Sequence, residues 1–220
     1  MQEALKKDLT GRFVCSNETI GFGSSKTVYK GFDRQEGCEV AWCKVPAAVV
    51  GYGANSRAVR EVQMLSEISH PHIVRMVSSW VDNSRDLIII TDLYGSPLDA
   101  YVRKHGKQEI SVIRKWGRQL IDALCFLHDR PMPIAHRDLK CANVFVNNYT
   151  GDVALGDLEF ASVLSSSRTT LSVLGTAEYM SPECLQGKYT HKADVYSFGR
   201  ALLKMYTLRK PYTRFRTGPY

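Results

Sequence analysis

The hydrophobic periodicity of the chain changes once, near residue 95. Before that point short runs of β-favouring residues recur, at Thr27 to Tyr29, Glu39 to Cys43, Ile73 to Val77 and Leu87 to Thr91, interrupted by one helical stretch around Arg57 to Ile68. After it, Leu98, Tyr101 and Val102, then Ile113, Trp116, Leu120, Leu124 and Leu127, fall at helical spacing. Tyr94-Gly95-Ser96-Pro97 supplies turn residues at the change, which predicts a hinge between a small sheet carrying one helix and a mainly helical second half. The expected class is α+β in two lobes, residues 13–94 and 95–220, with residues 1–12 as an N-terminal extension.

Composition permits this and excludes several alternatives. With 220 residues, 44% hydrophobic and 23% charged, the chain can bury one large or two small cores. The longest apolar runs, such as Leu87 to Ile90, fall far short of the ~18 residues a membrane span requires. Met1 to Thr10 carries Glu3, Lys6, Lys7 and Asp8 with no apolar core, so a cleavable signal peptide is not expected and a cytoplasmic location is. The 6 cysteines form neither C-x-x-C pairs nor a His/Cys cluster, which argues against structural zinc and a disulfide framework. A net charge of +7 is dispersed and lacks interleaved aromatics, so nucleic acid is not an expected partner.

Chemistry is concentrated in a few runs. Ile20-Gly21-Phe22-Gly23-Ser24-Ser25-Lys26-Thr27-Val28 opens a strand with two glycines that let backbone N–H groups approach an anion. Taken alone, it fits a hairpin turn in an ordinary sheet equally well. Ala135-His136-Arg137-Asp138-Leu139-Lys140-Cys141-Ala142-Asn143 is followed by Gly156-Asp157-Leu158, and then by Gly175-Thr176 ahead of Ser181-Pro182-Glu183. In chain order these resemble the H-R-D…N, D-F-G and A-P-E signatures of protein kinases, which implies a two-lobed protein kinase fold acting with ATP and Mg²⁺. On that resemblance Asp138 orients and deprotonates a substrate hydroxyl, while Asn143 and Asp157 offer oxygen ligands to the metal. Lys140 meets the transferred phosphoryl and Thr176 steadies Asp138. The competing structural reading makes the acidic residues satisfied caps of helices or turns. His136 reads as a packed structural histidine.

Kinases place a phosphate-binding lysine where this chain has Cys43, in Glu39-Val40-Ala41-Trp42-Cys43-Lys44. Strand side chains alternate between faces, so Lys44 points away from the face of Ala41 and Cys43 and is expected to meet solvent. The same alternation puts Lys26 on the face of Val28, which makes Lys26 the candidate catalytic cation.

With that displacement the resemblance narrows. Gly21-x-Gly23-Ser24-x-Lys26-Thr27-Val28-Tyr29-Lys30-Gly31 with Val40-Ala41-Trp42-Cys43 is similar to the with-no-lysine (WNK) Ser/Thr protein kinases, a family defined by the relocated lysine. The similarity continues through His70 to Arg75, His136 to Asn143 and Asp194 to Gly199. It implies Glu61 as the helix glutamate orienting Lys26, and Thr91 as gatekeeper. It also implies Asp92 to Tyr94 as the segment whose backbone bonds adenine, and Gly21, Gly23, Val28, Ala41 and Phe145 as further ATP contacts. By the same resemblance Ser172 is an activation-loop serine, phosphorylated by itself or an upstream kinase, with Arg137 as its charge partner. Substrates are then proteins bearing Ser or Thr.

Two departures matter. Glu159 replaces the third D-F-G residue, which predicts restricted loop switching, and its carboxylate would oppose the anion that the family's neighbouring leucines are linked to binding. The chain also ends at Tyr220, soon after the helix containing Asp194, so the second lobe is expected to be incomplete. Both departures keep open a pseudokinase scaffold that binds a partner with little phosphotransfer.

Overall fold

The computed structural model describes residues 6–23, 25–50, 62, 66–164, 175–187 and 189–209. The helix expected around residues 57–68 lies largely outside them, with Val62 and Ser66 described as helical. The protein is α+β and divides into two compact units. One takes the described residues up to Ser69 together with Val74–Tyr94; the other takes His70–Ile73 together with those from Gly95 onward.

In the first unit, β1 (Lys6–Lys7), β2 (Phe13–Phe22), β3 (Thr27–Asp33), β4 (Cys38–Val45), β5 (Met76–Val81) and β6 (Leu87–Asp92) form one antiparallel sheet in the order β1-β2-β3-β4-β6-β5. Lys6 and Lys7, expected in an extension, pair with Cys15 and Val14 at the sheet edge. Central strands are apolar on both faces, as a strand covered on both sides must be. Val40 and Trp42 pack with Phe13, Cys15, Ile88 and Ile90 on one face, while Ala41, Cys43 and Val45 pack with Leu87 and Ile89 on the other. Trp80 closes the first cluster, stacked on Phe13 and edge-on to Trp42.

The second unit opens with α2 (Leu98–His105) and α3 (Ile110–His128), after a short α1 (Ala47–Val50) in the first. β7 (Ile134–Ala135) and β10 (Ser162–Val163) pair, as do β8 (Val144–Val146) and β9 (Val153–Leu155); α4 (Pro182–Leu185) and α5 (Lys192–Thr207) follow. On α3, Ile113, Trp116, Leu120, Ala123, Leu124 and Leu127 are buried along one face. A fully buried leucine contributes about 1.5–3 kcal/mol, so this face supplies much of the unit's cohesion. The strand expected at Ile73 begins later, at Met76, because Ile73 bridges Leu155 and the Leu155 N–H donates to the His72 carbonyl at 2.9 Å. No helix among the described residues is long and apolar enough to cross a membrane.

Candidate active site

The second unit gathers three of the predicted site residues, Lys140, Asn143 and Thr176, around the carboxylate of a fourth, Asp138. β7 ends at Ala135, and the chain turns through His136, Arg137 and Asp138 before a 3-10 turn at Cys141–Asn143 leads into β8. Asp138 is buried, and a buried carboxylate must find hydrogen-bond partners or lose its charge. It finds three. Thr176 Oγ1 donates to Oδ1 at 2.7 Å, while Lys140 Nζ at 2.7 Å and Asn143 Nδ2 at 2.9 Å both donate to Oδ2. Lys140 Nζ also donates to Thr176 Oγ1 at 2.7 Å, which closes a triangle of carboxylate, ammonium and hydroxyl. Oδ2 is thus filled by two donors, whereas Oδ1 accepts only the Thr176 hydroxyl among the described residues and keeps a lone pair for another donor.

His136 is fully buried and structural, as its sequence context predicts. Its Nδ1 accepts the Asp138 N–H at 3.3 Å, which leaves the proton on Nε2 to be donated to the Gly156 carbonyl at 3.0 Å. The Gly156 N–H donates to the Asn143 carbonyl at 2.9 Å, so the residue before Asp157 is bonded to both sides of the loop carrying Asp138. Asn143 spends its amide N–H groups on the Asp138 carbonyl and carboxylate, both at 2.9 Å, leaving Oδ1 as its acceptor. With the Asp157 carboxylate this makes two hard oxygen donors, a set that fits Mg²⁺, which binds through few protein oxygens and completes its shell with waters and phosphates.

Asp157 itself is left-handed, at φ +62°, and Leu158–Phe160 forms a 3-10 turn. The unusual backbone angles fall on an aspartate, a residue type that tolerates them, and not on Glu159. The conformation therefore makes no demand for glycine at position 159, whose side chain lies outside the described residues. Burial pushes the neighbouring Cys141 thiol up to about 12, so it stays protonated and packs as a small apolar group.

The residue that sequence reasoning passed over is Asp194. It is fully buried on α5 and accepts the His136 N–H at 2.8 Å, the Arg137 N–H at 2.9 Å and His128 Nε2–H at 2.9 Å, with the Tyr189 hydroxyl at 3.3 Å. One carboxylate thus satisfies two successive backbone donors of the turn before Asp138. The signal was present: an acid on the buried face of a helix otherwise lined by Ala193, Ser197, Phe198, Ala201 and Met205 requires partners. Arg137 is left-handed at φ +69°, and its guanidinium lies 4.9 Å from the centroid of the Tyr189 ring. Phe145 is half-buried in β8, opposite Ala154.

The first unit carries the remaining described candidates. Val28 pairs with Cys43 and packs on the cluster of Ala41, Cys43 and Val45. Lys26 lies two residues before Val28, one step outside β3, and its carbonyl accepts the Gly23 N–H at 2.8 Å. A Cβ at Gly23 would stand 3.0 Å from Lys26 Cγ, while one at Gly21 would make only ordinary contact with Val28, at 3.9 Å. A side chain at Gly23 would therefore crowd the Lys26 stem, and one at Gly21 would not. Lys44 leaves the Ala41 face as alternation predicts, but it is not given over to solvent. Its ammonium pairs with Asp86 at 2.7 Å, a contact that raises its pKa, and the other Asp86 oxygen accepts the Ala47 N–H at the start of α1 at 2.8 Å. Thr91 is buried beside Ala41. The Asp92 N–H is committed to the Arg75 carbonyl and its carboxylate to the Arg75 guanidinium, while its carbonyl accepts the Thr91 hydroxyl at 3.3 Å; Tyr94 ends the unit. Glu61 and Ser172 lie outside the described residues.

Comparison with known proteins places this geometry. A family profile described as "Protein kinase domain" matches residues 15–217. A "Probable serine/threonine-protein kinase WNK10" of Arabidopsis thaliana is 41% identical over 222 residues, covering 98% of this chain and 42% of the relative. A "Probable serine/threonine-protein kinase WNK6" of Oryza sativa subsp. japonica is 42% identical over 216 residues, covering 96% of this chain and 49% of the relative. The "Serine/threonine-protein kinase WNK8" of Arabidopsis thaliana is 41% identical over 222 residues, covering 98% and 39%. The chain thus spans about half or less of the length of these curated relatives.

Proposed function

The chain belongs to the protein kinase domain family, and from that premise we propose that it transfers the γ-phosphoryl of ATP to serine or threonine hydroxyls of proteins, with Lys26 in the glycine-rich loop as its phosphate-clamping lysine. The observation that carries this reading is the Asp138 carboxylate, held at both oxygens yet with one lone pair of Oδ1 open. A substrate hydroxyl donating there is oriented for in-line attack, and its proton has a carboxylate to go to as the new O–P bond forms. Lys140, already 2.7 Å from both Asp138 and Thr176, offsets negative charge on the phosphoryl in transit. Asn143 and Asp157 would hold Mg²⁺, whose charge, when bound, balances that of the phosphates.

Assignment of Lys26 over Lys44 rests on strand geometry. Lys44 is turned to the opposite face from Cys43 and is engaged by Asp86, whereas Lys26 lies two residues before Val28, which packs on the Ala41–Cys43 face. Glu61 orients Lys26, and Gly21, Gly23, Val28, Ala41, Thr91, Asp92, Tyr94 and Phe145 contribute to nucleotide binding. Phosphorylation of Ser172, read by Arg137, is the regulatory step in this reading. The test is transfer of labelled phosphate from Mg-ATP to a Ser/Thr peptide by wild type and by Asp138→Asn. Transfer lost in the variant supports a kinase; none by a folded, Ser172-phosphorylated wild type turns the assignment to a partner-binding scaffold.

A further inference from the structure

Arg137 occupies a backbone conformation that disfavours it. At φ +69° an arginine is left-handed, a strained conformation that persists only where its surroundings over-determine it. Its N–H is fixed by Asp194 Oδ1 at 2.9 Å, and its carbonyl leads directly into Asp138. The far end of the side chain is engaged as well: the guanidinium carbon lies 4.9 Å over the Tyr189 ring. Tyr189 is buried, and its hydroxyl donates to the same Asp194 oxygen that holds the Arg137 N–H, at 3.3 Å. Burial and the Asp194 charge raise the phenol above its ordinary range, so it remains a donor.

We propose that Tyr189 is a positioning residue for Asp138, acting through Arg137: its ring seats the guanidinium while its hydroxyl braces the carboxylate that fixes the Arg137 backbone. Arg137 is then held at both ends, and the left-handed turn delivers Asp138 to Thr176 and Lys140. This rests on the kinase reading of Asp138, but its geometry is testable without it. The ring face is the working part, because a cation over an aromatic face gains attraction that an aliphatic side chain of equal volume does not supply. The hydroxyl contact, at 3.3 Å, is the lesser one.

The experiment compares wild type, Tyr189→Phe, Tyr189→Leu, Arg137→Gln and the Arg137→Gln/Tyr189→Leu double variant. The readouts are kcat and KM for a Ser/Thr peptide and Mg-ATP, and the guanidinium NMR signals of Arg137. Tyr189→Leu is expected to lower kcat about three- to tenfold with KM for Mg-ATP unchanged, and Tyr189→Phe to retain most of the wild-type rate. In the Arg137→Gln background, Tyr189→Leu should cost nothing further. Equal losses in both backgrounds, or a Phe variant as impaired as Leu, overturn the proposal. If wild type transfers no phosphate, the kinase reading fails by itself, and the guanidinium signals still decide the contact. They should be shifted upfield by the ring in wild type and Tyr189→Phe, and released in Tyr189→Leu; signals unmoved by Tyr189→Leu overturn it.

Discussion

The Thr176 hydroxyl donates to Asp138 at 2.7 Å across a separation of 38 residues, and the same hydroxyl accepts from Lys140. It joins the proposed base to the proposed phosphoryl-stabilising cation. Hydrogen bonds to charged groups contribute roughly 1.5–3 kcal/mol, so Thr176→Ala should lower kcat about ten- to a hundredfold. Thr176→Ser, which keeps the hydroxyl, should stay near wild type in steady-state phosphotransfer.

Gly175 admits no side chain. Its φ is +117°, and a Cβ there would stand 2.5 Å from the Arg137 carbonyl oxygen, a backbone atom that cannot swing aside. Gly175→Ala is expected to displace the turn carrying Asp138, costing on the order of 1–3 kcal/mol in thermal unfolding and a larger share of kcat.

How far the chain was legible differs between local and distant relationships. The change of periodicity falls at Tyr94–Pro97, beside one boundary between the units, while His70–Ile73, which no periodicity marks, also joins the second; the motif residues Asp138, Lys140, Asn143 and Thr176 meet in one cluster. Strand alternation separated Lys44 from the Cys43 face. Alternation says nothing of what a side chain meets, so the Asp86 partner of Lys44, which arrives on the β5–β6 hairpin, was not foreseen. Asp194 reaches the Arg137 N–H from 57 residues away, and no local pattern records where a buried acid finds its donors. At the Asp157-Leu158-Glu159 turn, where the sequence points to Glu159 as restricting loop switching, the left-handed angles fall on Asp157.

Asp33 gives the first unit an acid-sensitive contact. The Arg12 guanidinium bonds both its oxygens, with Nη2 2.6 Å from Oδ2, and holds the carboxyl below its ordinary value of 3.8. A depressed folded-state pKa contributes stability that is present above the unfolded value and lost as pH falls through the folded one. The melting-temperature gap between wild type and Asp33→Asn should therefore be open at neutral pH and narrow as pH drops below about 4. A gap constant across that range would count against the contact.

Gly23→Ala would place a methyl group 3.0 Å from Lys26 Cγ and force the lysine stem to shift. KM for Mg-ATP should rise on the order of several-fold, while Gly21→Ala, with only ordinary contact to Val28, should change it little.

The most direct measurement of the central claim is the rate of γ-phosphoryl transfer from Mg-ATP by wild type, Lys26→Met and Lys44→Met, each checked for folding by thermal melt. The account predicts that Lys26→Met abolishes transfer and Lys44→Met retains it, since Lys44 is engaged by Asp86 on the opposite strand face. Survival of Lys26→Met together with loss in Lys44→Met would contradict it.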